Sequence, residues 1–267
     1  MSEQQNEAGM ERRDFLRFAA AGAGGVALVM FGGGMSLVSA NAVTRTGKSD
    51  RRGPFEYDPT KHHYLYLIDI DKCIGCGSCV RACKRENQVP QHFFRTWMER
   101  YQVSATGEVY VDSPNGGHDG FMPTELGADI TKAFFVPKLC NHCENTPCVQ
   151  LCPVGASFVS PEGVVLVDDK RCIGCSYCVQ GCPYGSRFIH PTTHTASKCT
   201  LCYHRLVRGE TTACVQNCPT GARMLGDARS LGDKVAEIVA TSKVHVLKPE
   251  LHTEPKCFYV NASREVR

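Results

Sequence analysis

Sixteen of the chain's 17 cysteines fall into four runs of four, and no other feature restricts the possible fold so tightly. The first run is Cys73, Cys76, Cys79 and Cys83, spaced C-x2-C-x2-C-x3-C. The second is Cys140, Cys143, Cys148 and Cys152, spaced C-x2-C-x4-C-x3-C-P. The third, Cys172, Cys175, Cys178 and Cys182, repeats the first spacing and is followed by Pro183. The fourth, Cys199, Cys202, Cys214 and Cys218, is spaced C-x2-C-x11-C-x3-C and is followed by Pro219. Cys257 stands alone.

Three chemistries compete for such a pattern. Disulfides need only an even count and an oxidising compartment. Zinc prefers two separated C-x2-C knuckles that close a tetrahedron from both sides. An iron–sulfur cube takes three thiolates from one tight loop and a fourth from elsewhere. In the bacterial ferredoxin run the last Cys ligates the other cluster of a pair. The triple C-x2-C-x2-C suits neither zinc nor disulfides, because neighbouring thiols in one loop would each need a distant partner. Clusters are therefore the expected cofactor, and a zinc-stabilised interaction module is the alternative of another class.

Composition removes other classes. Hydrophobic content of 42% and charged content of 21% exclude a disordered polar tail as the main description. A net charge of +3 lacks the basic excess of a nucleic-acid binder, and a single Trp offers little stacking surface. No G-x-G-x-x-G, Walker or nucleophile-elbow motif is present, so neither a nucleotide site nor independent substrate chemistry is expected. A stand-alone reductase would have to turn over a substrate by itself. No C-x2-C-H occurs, so covalent haem is not indicated either.

The runs have an internal order. Cys73-Ile74-Gly75-Cys76 and Cys172-Ile173-Gly174-Cys175 share a lead-in, with Asp71-Lys72 and Lys170-Arg171 before them. Cys148-Val149-Gln150-Leu151-Cys152-Pro153-Val154-Gly155-Ala156 and Cys214-Val215-Gln216-Asn217-Cys218-Pro219-Thr220-Gly221-Ala222 share an exit. The order is A-B-A′-B′, a duplicated two-motif unit. Tyr64–Ile68 and Val164–Val167 read as strands. Gly75 and Gly174 free the backbone to wrap a cube, and Pro153, Pro183 and Pro219 turn the chain after a ligand. Tyr101, Val103 and Val109-Tyr110-Val111 across Gly107 read as a hairpin, and 114–120 as a loop. Leu231, Val235, Ile238 and Val239 have the spacing of a short surface helix.

These motifs resemble the four-cluster ferredoxin-like beta subunits of DMSO-reductase-family respiratory complexes. The likeness is greatest to tetrathionate-, polysulfide- and nitrite-reductase-type members. It rests on Cys73-Ile74-Gly75-Cys76, Leu139-Cys140-Asn141-His142-Cys143, Arg171-Cys172-Ile173-Gly174-Cys175, Cys182-Pro183-Tyr184, Arg187-Phe188-Ile189-His190 and Lys198-Cys199. Val246-Leu247-Lys248-Pro249 and Cys257-Phe258-Tyr259-Val260 add a similar tail. The resemblance implies how ligands are shared among four [4Fe–4S] clusters. One takes Cys73, Cys76, Cys79 and Cys218; its neighbour takes Cys83, Cys199, Cys202 and Cys214. A third takes Cys140, Cys143, Cys148 and Cys182; the fourth takes Cys152, Cys172, Cys175 and Cys178.

The resemblance also implies an α+β fold of two ferredoxin-like double-cluster modules related by a pseudo-twofold. The first combines 61–90 with 183–230, and the second spans 140–182. An insertion of hairpin and loop fills 91–139, and a tail follows from 231 to 267. The implied role is an electron relay, not an enzyme. The implied partners are an NrfD-type membrane quinone-interacting subunit and a molybdopterin catalytic subunit, with a multihaem cytochrome as the alternative catalytic partner. Motifs one and four would face the catalytic partner and the other pair the membrane.

The front of the sequence reads as an address. Glu11-Arg12-Arg13-Asp14-Phe15-Leu16-Arg17 resembles a twin-arginine export signal, and residues 18–40 carry no charge. Ala40-Asn41-Ala42 offers a cleavage site, so 1–42 is a signal segment and 43–60 a linker. A periplasmic location, or the outer face of the cytoplasmic membrane, follows. Uncleaved, the uncharged run is long enough for an anchor. Export of a folded chain would let clusters load where thiols stay reduced.

Basic residues crowd the motifs: Arg81, Lys84, Arg85, Lys138, Lys170, Arg171, Arg187 and Lys198. Positive charge there would favour a reduced cluster, against the plain reading of a solvated face. His142 is expected to bond to sulfur or backbone rather than to metal. Tyr177, Tyr184 and Phe188 either shield clusters or fill the core, and Cys257 reads as a buried thiol outside the relay.

Overall fold

The fold is that of a computed structural model, which describes residues 27–31, 34–38, 57–122 and 129–266. The chain divides into two compact units, 1–54 and 55–267. In the first, β1 (Ala27–Phe31) and β2 (Gly34–Val38) pair antiparallel, with Leu28 opposite Leu37. The paired arginines at 12 and 13 and the cleavage site at 40–42 lie outside the described residues. No helix among the described residues is long and apolar enough to cross a membrane.

The second unit is organised on β3 (Tyr64–Asp69). Its run Tyr64-Leu65-Tyr66-Leu67-Ile68 lacks polar alternation, as expected of a strand covered on both faces. Leu67 and Ile68 are indeed fully buried. β11 (Arg223–Asp227) pairs antiparallel on one side of β3. β12 (Cys257–Val260) pairs parallel on the other. The tail is thus a sheet strand, not only an appendage, and Cys257 is buried in it with Tyr259.

The segment expected as an insertion forms a three-stranded antiparallel sheet. β4 (Thr96–Ser104) lies between β5 (Val109–Asp112) and β6 (Ile130–Leu139). Tyr101 faces Val111 and Val103 faces Val109 across the Gly107 turn, the hairpin expected from alternation. Met98, Tyr101, Val136 and Leu139 share one buried cluster with Tyr66, Ile68 and Tyr259. This sheet therefore completes the main core. Arg100 clamps β4 to β5 through a bidentate contact with Asp112 at 2.8 and 2.7 Å.

The second module contains β7 (Ser157–Val159) paired with β8 (Val165–Val167), and β9 (Arg187–Ile189) paired with β10 (Ala196–Lys198). Its core joins Cys148, Val165, Cys178 and Ala196, with Ile189 packed against them. The β9–β10 hairpin packs both ways: Ile189 and Ala196 join Cys148, Val165 and Cys178, while Phe188 stacks on Phe93. The late helix also starts later than its apolar spacing suggests. It spans Lys234–Thr241, its first turn capped by the Asp233 carboxylate, and Leu231 is left fully exposed before it.

One carboxylate ties the start of this unit to β11. Asp227 accepts from the His63 backbone at 2.8 Å, the Arg229 backbone at 3.0 Å and His62 Nδ1 at 2.6 Å. Burial works to raise its pKa, but these donors outweigh burial and lower it. Its contribution to stability is then present above the unfolded carboxylate value and lost as pH falls through the lower folded value. Wild type should exceed Asp227→Asn in unfolding free energy near neutral pH. The difference should shrink as pH falls from about 5 through the lower folded value, as checked by denaturant titration at each pH.

Candidate functional site

Four one-turn steps position the cysteines. Cys79 and Cys83 lie on α1 (Ser78–Asn87), both buried. Cys148 opens onto Cys152 through α2 (Pro147–Gln150), and Cys178 onto Cys182 through α3 (Tyr177–Gln180). Cys214 opens onto Cys218 through α5 (Ala213–Gln216), after the short α4 (Tyr203–Leu206). A spacing of i to i+4 sets two side chains on one face about 5–6 Å apart. In this fold the two members of such a step serve adjacent sites rather than one.

The structure brings the cysteines together across motifs. Cys83, Cys199, Cys202 and Cys214 line one small cavity. Cys140, Cys143, Cys148 and Cys182 line a second. Cys152, Cys172, Cys175 and Cys178 line a third. Cys73 and Cys79 lie within electrostatic reach of Cys218, and Cys79 of Cys76, which gathers the remaining quartet. A zinc ion needs its ligands about 2.0–2.3 Å from a single point. Among the described residues no three His, Cys, Asp or Glu side chains converge in that way. The cysteines instead surround shared cavities in sets of four drawn from separate motifs.

Proximity also orders the quartets. Cys79 of the first lies near Cys214 of the second, and Cys199 of the second lies near Cys140 of the third. Arg187 feels Cys148 and Cys140 of the third and Cys178 of the fourth. The series runs from Ile74, exposed beside the first quartet, to Ile173, exposed beside the fourth.

Burial pushes the protonated thiols up: Cys73 to about 11, Cys83 to about 12 and Cys143 to about 12. Thiolate ligands therefore need compensation in place. At Cys152 burial also works upward, but the amides of Ser157, Val154, Ala156 and Gly155 outweigh it and lower the pKa. Cys218 is lowered in the same way against burial, by the Arg223 amide and the Thr220 hydroxyl and amide. The Cys-Pro-x-Gly-Ala exit is thus a cradle of N–H donors around sulfur, beyond the turning role of its proline.

The basic residues separate into two kinds. Arg81 donates to the carbonyls of His118 and Cys76, Lys84 to that of Pro90, and Lys138 pairs with Glu99 at 2.7 Å. Lys170 and Arg171 are exposed. Only Arg187 and Lys198 are buried among sulfurs. The Lys198 ammonium donates to the carbonyls of Val165 and Cys199. Arg223 joins them, is 2% exposed, and was not singled out from sequence. The signal was available, since Cys218-Pro219-Thr220-Gly221-Ala222-Arg223 parallels Cys182-Pro183-Tyr184-Gly185-Ser186-Arg187.

His142 accepts from the Val165 amide at 3.0 Å through Nδ1. Burial first, then Lys198, Lys256 and Arg187, hold it well below the usual imidazole range, so it is neutral. Tyr184 lines the cavity of the third quartet and reaches the Leu247 carbonyl. Tyr177 is exposed, and Phe188 stacks on Phe93 at 4.7 Å. Gly75 and Gly174 have φ of +68° and +70°. A Cβ on Gly174 would meet the His194 carbonyl at 2.4 Å, and one on Gly75 the Phe135 ring at 2.6 Å. Both glycines are therefore required by the backbone and by neighbouring protein atoms.

Sequence profiles of the 4Fe-4S dicluster domain match residues 72–156 and 131–228. The B subunit of tetrathionate reductase from Salmonella typhimurium is 44% identical over 202 residues, 75% of this chain and 73% of the relative. Its counterpart from Archaeoglobus fulgidus is 43% identical over 222 residues, 83% and 91% of the two sequences. The B chain of polysulfide reductase from Wolinella succinogenes is 36% identical over 202 residues, 75% and 95%. The protein belongs to the iron–sulfur beta subunits of DMSO-reductase-family respiratory complexes.

This beta subunit carries four [4Fe–4S] clusters and is an electron-transfer component rather than a catalytic one. Each cluster supplies storage and passage of one electron. The donor set fits the group: cysteines from separate motifs converging on shared cavities, amide cradles at sulfur, and buried guanidinium groups beside them. The expectations of clusters over zinc, and of a relay over an enzyme, agree with the family. Gly174→Ala should destabilise the loop by at least about 1–2 kcal/mol from the left-handed backbone alone. Its purified protein should show less iron and acid-labile sulfide per chain than wild type.

Proposed function

We propose that this protein relays electrons between an NrfD-type membrane quinone-interacting subunit and a molybdopterin catalytic subunit. In this reading it is exported folded by the twin-arginine route to the outer face of the cytoplasmic membrane. The observation that carries the relay is the series of four cysteine quartets, each adjoining the next, with an exposed loop at either end. A series with two surface ends suits an electron path that enters at one partner and leaves at another.

The ligand sets follow the quartets. Cys73, Cys76, Cys79 and Cys218 hold the first cluster, and Cys83, Cys199, Cys202 and Cys214 the second. Cys140, Cys143, Cys148 and Cys182 hold the third, and Cys152, Cys172, Cys175 and Cys178 the fourth. Three cavities lined by three of these sets support the allocation. At the far end Leu151, Val154, Phe158, Val159 and Tyr177 are exposed around the fourth quartet. Such an apolar surface favours a protein partner there. The modules then meet between the second and third clusters, with the β9–β10 hairpin counted with the second module.

The reading is tested by affinity purification of the tagged protein from its native membranes. Molybdenum in stoichiometric amount supports it. Haem in place of molybdenum would move the relay to a multihaem cytochrome partner. Zinc near four per chain without acid-labile sulfide would end the cluster reading altogether. The ligand sets make a sharper prediction: Cys140→Ser and Cys182→Ser should perturb the same paramagnetic signal. Cys178→Ser should perturb a different one, although Cys178 precedes Cys182 by a single helical turn.

A further inference from the structure

The two dicluster modules each bury one arginine at the same place in their exit turn. Arg223 follows Cys218 by five residues, opens β11 and sits opposite Ile68 of the central strand. Arg187 follows Cys182 by five residues, opens β9 and sits opposite Lys198. They are 2% and 5% exposed. Burying a guanidinium costs several kcal/mol unless its charge and its N–H groups are satisfied. Yet among the described residues Nε, Nη1 and Nη2 of Arg223 make no hydrogen bond of normal geometry, although the Tyr66 hydroxyl, itself 3.1 Å from Cys214 Sγ, lies in reach. Arg187 donates through Nη1 to Ser157 Oγ at 2.8 Å, while its Nε and Nη2 have none.

The charges around each arginine are sulfurs of two quartets. Arg223 lies in reach of Cys73 and Cys79 of the first and of Cys83 and Cys214 of the second. Arg187 lies in reach of Cys140 and Cys148 of the third and of Cys178 of the fourth. Among the described residues no carboxylate is bonded to either guanidinium. Each is therefore a buried, permanently charged cation without a carboxylate partner, between two sulfur-lined sites, with Tyr66 beside Arg223 and Cys178 beside Arg187. Lys198 in the middle gap differs, because its ammonium is already taken by the Val165 and Cys199 carbonyls.

We propose that Arg223 and Arg187 are redox-positioning residues, each shared by the two clusters of its module, that hold both potentials up and ease electron passage between them. This rests on the ligand sets proposed above. In a transfer one cluster loses one electron and its neighbour gains it; no bond forms or breaks and no proton moves. Each reduction adds one negative charge to an already anionic site, and the guanidinium between the two favours that charge on either side. Low dielectric makes this attraction far stronger than at a surface. One arginine per pair also keeps the potentials of neighbours close as the electron moves across.

The test is a redox titration of the purified complex followed by paramagnetic resonance, with iron and sulfide measured on the same samples. Arg223→Gln, fully loaded, should lower the reduction equilibrium constant of both clusters of its module at least tenfold, about 59 mV for one electron. The other pair should stay at wild type. Arg187→Gln should do the converse, and the lysine variants should return the potentials toward wild type. Loaded glutamine variants with wild-type potentials would overturn the proposal while leaving the cluster assignment intact. If a glutamine variant loses its clusters, retention in the matching lysine variant supports a charge role. Loss in both overturns it in favour of packing. Fewer than four clusters in the wild type would instead sink the ligand sets.

Discussion

The interaction on which the rest depends is the i to i+4 step between the last two cysteines of every motif. In this fold its two ends line different cavities, so a single helical turn serves two quartets. Cys79 and Cys83 point to different quartets, and so do Cys148 and Cys152, Cys178 and Cys182, and Cys214 and Cys218. Two such turns face each other within a module, and each supplies the residue that completes the other's quartet. The chain cannot assemble one site without bringing up the next. Electronic adjacency is thus a by-product of covalent geometry.

The same crowding sets the electrostatic problem. Burial alone keeps thiols protonated, as at Cys83 and Cys143. Amide cradles at Cys152 and Cys218 work against this without importing charge. Cations are admitted only at a few buried points, while the other basic residues near the motifs are spent on carbonyls, on Glu99, or on solvent. A count of lysines and arginines near cysteines therefore says little. What matters is whether the donors of a given side chain are already occupied.

Motif spacing and the apolar run of β3 were legible in the sequence, because both are local. So was the β4–β5 hairpin, from alternation across Gly107. The helix at Lys234 was legible in type but not in its start, since Leu231 keeps the apolar spacing while Asp233 supplies the cap. The two-way packing of the β9–β10 hairpin was not legible, because Ile189, Ala196 and Phe188 show their partners only in the folded state. Arg223 escaped notice because an arginine at the start of a strand looks like any surface residue until its neighbours are known.

The sequence by itself set the grouping of sixteen cysteines into four runs, and the resemblance those runs carry pointed to inorganic clusters, since motif spacing is local in the chain and needs no tertiary information. The tertiary structure decided what surrounds them. It closed the central sheet with a parallel strand from the far end of the sequence, folded the supposed insertion into the core, and left two guanidinium groups facing sulfur. Those outcomes depend on contacts between residues distant in sequence, which pattern and propensity do not encode.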